Sequence, residues 1–217
     1  MRNAASCSIW RLYVIVDNAA AKDRDLAWIA DQAIRGGADV IQLRDKARST
    51  AALLKDATRI RQITQAAGIS LIINDRVDVA LAVEADGVHL GQDDLPLAAA
   101  RRLLRDGQLI GASTHSLEQA QAAACAGADY IAVGPIFPTP TKPASGSVGL
   151  PLIRLVRAHV QQPVVVIGGV DQTTLPTILE AGATCVAVVR AVCAADDPQA
   201  AARQLKRLLT QSDRAAT

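Results

Sequence analysis

The stretch "VIQLRDKARS" (residues 40–49) sets Gln42, Arg44 and Lys46 at every second position. Side chains along a strand alternate faces, so an amide and two cations point one way while Asp45 points the other. A planar guanidinium beside an ammonium is what a doubly ionised phosphate or diphosphate needs, although the same triplet is compatible with solvated charge at a strand end. Asn74 and Asp75 precede "RVDVALAVEAD", and Asp94 precedes "LPLAAARRLL". Each acid is placed to cap a helix. As hard oxygen donors at neighbouring strand ends, Asp75 and Asp94 also suit Mg2+ that bridges carboxylates and phosphate oxygens. A carboxylate occupied by capping is not available to a metal.

Further groups recur at similar places. "STHSLEQA" offers Ser116 as a helix cap with Gln119 three residues on, leaving Ser113 at the strand end for a ligand. His89 and His115 stand at strand ends, where a histidine serves either structure or acid–base work. The run "GPIFPTPTKPASGSVG" brings the hydroxyls of Thr139 and Thr141 and the ammonium of Lys142 onto a long Pro-rich loop, either a lid or a solvated crossover. Adjacent Gly168 and Gly169 in "VIGGVDQTTL" bare backbone N–H groups near a helix start, and Val189 and Arg190 end the last strand. No Ser/His/Asp or Cys/His spacing marks a nucleophile.

These residues need a frame that gathers strand ends. Short apolar runs ("LYVIV", "DVIQLR", "SLIIND", "DGVHLG", "LIGAST", "DYIAVG", "PVVVIG", "TCVAVV") alternate with helix-periodic stretches such as "RDLAWIADQAIRGG". Eight strands at about 27 residues per unit predict a (β/α)8 barrel, an α/β fold in one domain over residues 1–217 with an ordered core of about 11–210. A repeat, "GGADVIQLR", "EADGVHLG", "AGADYIAVG" and "AGATCVAVV", falls on the even-numbered strands and favours closure over an open sheet. In such a barrel chemistry sits at the C-terminal ends of the strands, where all the groups above fall.

Composition narrows the partners. Net charge is +2 and aromatic residues are 2% of the chain, so neither a basic track nor a stacking platform for nucleic acid exists. The N-terminal "MRNAASCSIW" has no apolar core of a signal and no run reaches a membrane span, which predicts a cytoplasmic protein. Cys7, Cys125, Cys185 and Cys193 form no CxxC pair, and Cys125 and Cys185 lie in apolar patterns that predict burial.

Taken together, "IQLRDK", "LIINDRVDVALAVEADGVHLGQDD", "GASTH", "GPIFPTPTKP" and "VVVIGGV" resemble the thiamine phosphate synthase family from about Tyr13 to Ala191. The resemblance implies an Mg2+-dependent (β/α)8 barrel transferase. It would move a hydroxymethylpyrimidine group from its diphosphate to a thiazole phosphate, or the carboxylated form, and release pyrophosphate. It assigns Gln42, Leu43, Arg44, Asp45, Lys46, Asn74, Ser113 and Lys142 to the pyrimidine diphosphate, with Arg44, Lys46 and Lys142 carrying catalysis. Asp75 and Asp94 match metal ligands, and Thr139, Pro140, Thr141, Gly169, Val189 and Arg190 match the thiazole phosphate site. Many members carry Ser where this chain has Arg190, which separates that side chain from the family pattern. The sequence does not set the oligomeric state, and a homodimer is one assembly open to it. A thiazole tautomerase on the same barrel and a noncatalytic phospholigand-binding regulatory protein are the alternatives, and the retention of Asp75, Asp94 and Lys142 together counts against both.

Overall fold

The computed structural model describes Cys7 and residues 9–139 and 146–215. Eight parallel strands appear where the apolar runs predict them. They are β1 (Leu12–Asp17), β2 (Val40–Arg44), β3 (Ser70–Asn74), β4 (Gly87–Leu90), β5 (Leu109–Thr114), β6 (Tyr130–Val133), β7 (Val164–Ile167) and β8 (Val186–Val188). Each pairs with its sequence neighbours, and β8 pairs back to β1 through Leu12↔Val186 and Val14↔Val188, so the sheet closes as a (β/α)8 barrel in one domain. The helices are α1 (Leu26–Arg35), α2 (Thr50–Ala67), α3 (Val77–Ala82), α4 (Leu97–Leu103), α5 (Leu117–Cys125), α6 (Pro151–His159), α7 (Leu175–Glu180), α8 (Arg190–Cys193) and α9 (Pro198–Ala215). The last runs past the expected core limit of about 210. Among the described residues no helix is long and apolar enough to cross a membrane.

Strand alternation divides the core in two. Outward positions such as Val14, Ile41, Leu43, Ile73, Ile131 and Val166 pack under the helices. Inward positions, among them Tyr13, Ile15, Val40, Ile72, Leu109, Tyr130, Val165 and Ala187, fill the barrel. Both faces of each strand are therefore buried, which is why the runs read as continuous apolar segments rather than as alternating ones. Gly111 is an inward exception: a Cβ there would lie 2.0 Å from the Tyr130 ring, so this glycine makes room for the tyrosine.

The sequence repeat has a physical meaning at the opposite, N-terminal end. The Asp before each of β2, β4 and β6 turns back to the preceding odd strand. Asp39 accepts from the Leu12 N–H (2.8 Å), Asp86 from the Leu71 N–H (2.8 Å) and Asp129 from the Ile110 N–H (2.7 Å). Each is matched by a cation from a helix: Lys206, Arg61 and Arg101 respectively. Thr184 occupies the corresponding place before β8. The repeat thus staples strand starts to helices, leaving the other end of the barrel for chemistry.

Three of the four cysteines are buried; Cys125 is exposed, contrary to its apolar setting in sequence, because it closes α5 on the solvent side. All four are free thiols.

Candidate active site

At the C-terminal mouth of the barrel lies a cavity of about 590 Å³. Gln42 and Arg44 point into it from β2, as alternation requires. The Arg44 Nη1 is ion-paired with Asp17 Oδ2, and Asp17, itself 2% exposed, also accepts from the Ala20 N–H at 2.9 Å. The β1-end carboxylate therefore fixes the guanidinium at the cavity wall. Lys46 lies beyond the strand, which ends at Arg44, yet its ammonium reaches Asp75 at 2.9 Å. Leu43 and Asp45 are not brought to the cavity by their side chains. Leu43 is buried under the helices, and Asp45 folds its own loop, accepting from the N–H groups of Ala47 (3.0 Å) and Arg48 (3.1 Å). Burial works against the Asp45 charge, but those N–H groups and the Arg48 guanidinium hold its carboxyl below the ordinary value.

Neither Asp75 nor Asp94 caps a helix. The residues preceding α3 and α4 are Arg76 and Pro96, and neither supplies a side-chain cap. Asp75 sits in the left-handed region (φ +62°), which an Asp tolerates, and donates its N–H to the His89 carbonyl at 2.9 Å. Asp94 Oδ2 accepts from the Gly91 N–H at 2.7 Å. The two carboxyl groups meet: burial and the facing Asp94 push the Asp75 carboxyl up, against the opposing pull of the Lys46 ammonium. No cluster of three or more His, Cys, Asp or Glu able to hold a metal occurs among the described residues. Asn74, at the end of β3, lines the cavity beside this acidic pair.

The facing wall comes from β7 and β8. Gly168 (φ +101°) and Gly169 (φ +65°) turn the chain out of β7, and a Cβ on Gly168 would lie 2.3 Å from Pro135 Cα. The Thr174 hydroxyl anchors this turn on the Gly169 carbonyl at 2.8 Å. The β6 loop is zipped to the same turn, Ile136 N–H to Ile167 O (2.9 Å) and Phe137 N–H to Gly168 O (3.1 Å), which carries Thr139 to the cavity. Val189 and Arg190 line the same corner at the start of α8, with the Arg190 side chain exposed. Pro140, Thr141 and Lys142 lie outside the described residues.

The floor holds groups that strand patterning alone passes over. Gln42 Nε2 donates to the Tyr13 hydroxyl (2.7 Å), Tyr13 meets the Tyr130 hydroxyl (2.9 Å), Tyr130 meets His89 Nδ1 (3.0 Å), and His89 Nε2 meets Ser113 Oγ (2.9 Å). Burial pushes both phenols up, so both keep their protons at neutral pH. The available signal was that both tyrosines of an aromatic-poor chain fall at inward strand positions. Asp17 was likewise legible as an acid closing an apolar strand. His115 stands at the cavity edge with Nδ1 on the Gly134 carbonyl.

An eight-stranded barrel with a concave mouth at the C-terminal ends of its strands, lined by Arg44 on one wall and the Gly168–Gly169 turn on the other, has the architecture of small-molecule enzymes. The thiamine monophosphate synthase family model matches residues 12–192, and the chain belongs to that family, as a transferase. The thiamine-phosphate synthase of Chloroflexus aurantiacus is 50% identical over 202 residues, 93% of each chain. That of Methanocella arvoryzae is 47% identical over 201 residues, 92% of this chain and 95% of the relative. The solved thiamine phosphate pyrophosphorylase from Pyrococcus furiosus superposes with a TM-score of 0.87 at 35% identity, covering 95% of this chain and 98% of that one.

Proposed function

We propose that the chain couples hydroxymethylpyrimidine diphosphate to thiazole phosphate, giving thiamine phosphate and pyrophosphate, or to its carboxylated form, giving CO2 as a third product. The observation that carries this reading is two opposed corners of one cavity, Arg44 on one side, with Lys46 just beyond the end of its strand, and the Gly168–Gly169 turn with the start of α8 on the other. One phosphorylated partner on each corner would place their reacting ends over the floor between them.

The bond between the pyrimidine methylene carbon and the diphosphate oxygen breaks, and its electron pair leaves with pyrophosphate. The thiazole nitrogen then gives its lone pair to that carbon. With thiazole phosphate itself as acceptor no proton moves, so the step calls for neither a protein nucleophile nor a general base. The protein's work is to stabilise the departing charge, the role of Arg44, Lys46 and Lys142 in this scheme. Asp75 and Asp94 fit Mg2+: their facing carboxyls raise one another's need for a cation, and a pair of carboxylates completed by substrate phosphate is the usual donor set for this ion. When bound, Mg2+ supplies a Lewis acid for the diphosphate oxygens. Lys46, already 2.9 Å from Asp75, links the metal ligands to the phosphate wall. Incubating the pure protein with both substrates, with and without Mg2+, and quantifying thiamine phosphate tests the scheme; product formed equally well in excess chelator removes the metal from it.

A further inference from the structure

β1 stands between β8 and β2 in the barrel, and its end and the loop that follows (residues 17–25) support both walls of the cavity from behind without lining it. On the β2 side Asp17 holds Arg44. On the β8 side the loop reaches α8 through Arg24. Lys22 (φ +52°) and Asp23 (φ +63°) take the left-handed conformation that L side chains rarely adopt, and the turn they make delivers Arg24 to the far end of that helix. Arg24 Nε donates to the Ala21 carbonyl of its own loop (3.1 Å), Nη1 to the Ala195 carbonyl (2.7 Å) and Nη2 to the Cys193 carbonyl.

α8 is a single turn, closed by the Cys193 N–H on the Val189 carbonyl (2.8 Å) and the Ala194 N–H on the Arg190 carbonyl (3.0 Å). One turn has too few internal bonds to hold its own place, and its last carbonyls find no partner within it. The Arg24 fork supplies those partners, and the Cys193 thiol adds a second tie to β1 at the Ile15 carbonyl (3.1 Å). Val189, Arg190, Ala191 and Ala194 line the cavity, so a shift of α8 is a shift of the cavity wall.

We propose that Arg24 is a positioning residue for the thiazole phosphate: standing outside the cavity, it fixes α8 so that the corner at Val189 and Arg190 is already formed when the ligand arrives. The inference rests on the function proposed above and adds a residue behind the wall on which one of the two substrates depends. Arg44 keeps its own tie to Asp17, so loss of Arg24 should be felt at the thiazole phosphate and not at the pyrimidine diphosphate.

The test measures KM for each substrate, the other saturating, in native protein, Arg24→Met, Arg24→Lys and Arg61→Met. Arg24→Met keeps an apolar stem and removes every donor. KM for thiazole phosphate should rise by about tenfold or more while kcat and KM for the pyrimidine diphosphate stay within about twofold, the pattern of a lost interaction that serves ground state and transition state alike. Arg24→Lys keeps the charge without the planar fork and should still raise the thiazole phosphate KM by at least about threefold; a native value there means that charge alone acts and overturns the positioning role. Arg61→Met deletes a comparable guanidinium from Asp86 at the opposite end of the barrel and should leave both KM values native. A thiazole phosphate KM raised there as well marks a general loosening of the barrel and overturns the inference. If Arg24→Met does not fold, Arg24→Lys carries the test. Folded Arg24 variants with a native thiazole phosphate KM, or with both KM values raised equally, overturn the inference and leave the proposed function standing. Native protein that forms no thiamine phosphate overturns that function and this inference with it, so the two failures are distinct.

Discussion

Asp17→Asn isolates the device that holds the phosphate wall in place. The substitution keeps the shape of the side chain and one acceptor but removes the charge opposite Arg44. Breaking a buried pair from one side costs about 3–5 kcal/mol because the surviving charge is stranded. Here the Arg44 side chain is 15% exposed, onto the cavity, so partial rehydration brings the expected loss to about 3 kcal/mol. For a chain of 217 residues the entropy of unfolding is about 0.46 kcal/mol/K, so the melting temperature should fall by about 6–7 °C. Released from Asp17, the guanidinium samples other rotamers, and KM for the pyrimidine diphosphate should rise by about tenfold or more. The double variant Asp17→Asn/Arg44→Met removes the stranded charge as well. It should recover most of the lost stability while losing still more activity, a separation that merely damaged packing would not give. Thermal melts and steady-state kinetics on the native protein and both variants decide the matter. A single variant melting within about 1 °C of native, or a double variant no more stable than the single, refutes the reasoning.

Lys142→Ala should lower kcat by about 100-fold or more while weakening thiazole phosphate binding only slightly, because the ammonium is assigned to the departing diphosphate; unchanged turnover removes that role. In the absence of divalent cations Asp75→Asn should be more stable than native at pH 7. The native carboxyl is raised in the folded state, so stability is greatest below the ordinary value of 3.8 and is lost as pH rises through the folded value; the advantage of the variant should therefore vanish in acid, as melts across pH in chelator would show. The Lys46 partner lost with it is 53% exposed and contributes little. Gly111→Ala, with its Cβ 2.0 Å from the Tyr130 ring, should lower the melting temperature by about 2–7 °C and disturb pyrimidine recognition together.

The barrel was readable because every strand is buried on both faces and therefore appears as an unbroken apolar run of the right spacing, and the even-strand repeat pointed to closure. What the repeat does was not readable: the carboxylates of Asp39, Asp86 and Asp129 reach backwards to a preceding strand, a contact across 27, 15 and 19 residues of sequence. At the site, alternation placed Gln42 and Arg44 correctly, since period two is a local rule. It could not show that Lys46 leaves the strand and still returns to Asp75, nor that the Asp45 carboxylate is occupied by its own loop. The choice between cap and ligand for Asp75 and Asp94 was open in sequence because both roles use the same residue types at helix starts. The backbone removes the capping role alone, because it begins α3 and α4 two and three residues after those acids. The Gln42-to-Ser113 chain lay furthest from view, because its members come from five different strands.

The central claim is tested most directly by a single turnover with both substrates, protein in excess, following pyrophosphate and thiamine phosphate together. The account predicts that the two products appear at one rate and in equal amounts, that omission of thiazole phosphate abolishes thiamine phosphate, and that chelation of divalent cations stops both. Isomerisation of the thiazole with no release of pyrophosphate, or binding of both compounds with no bond made between them in the presence of Mg2+, would contradict it.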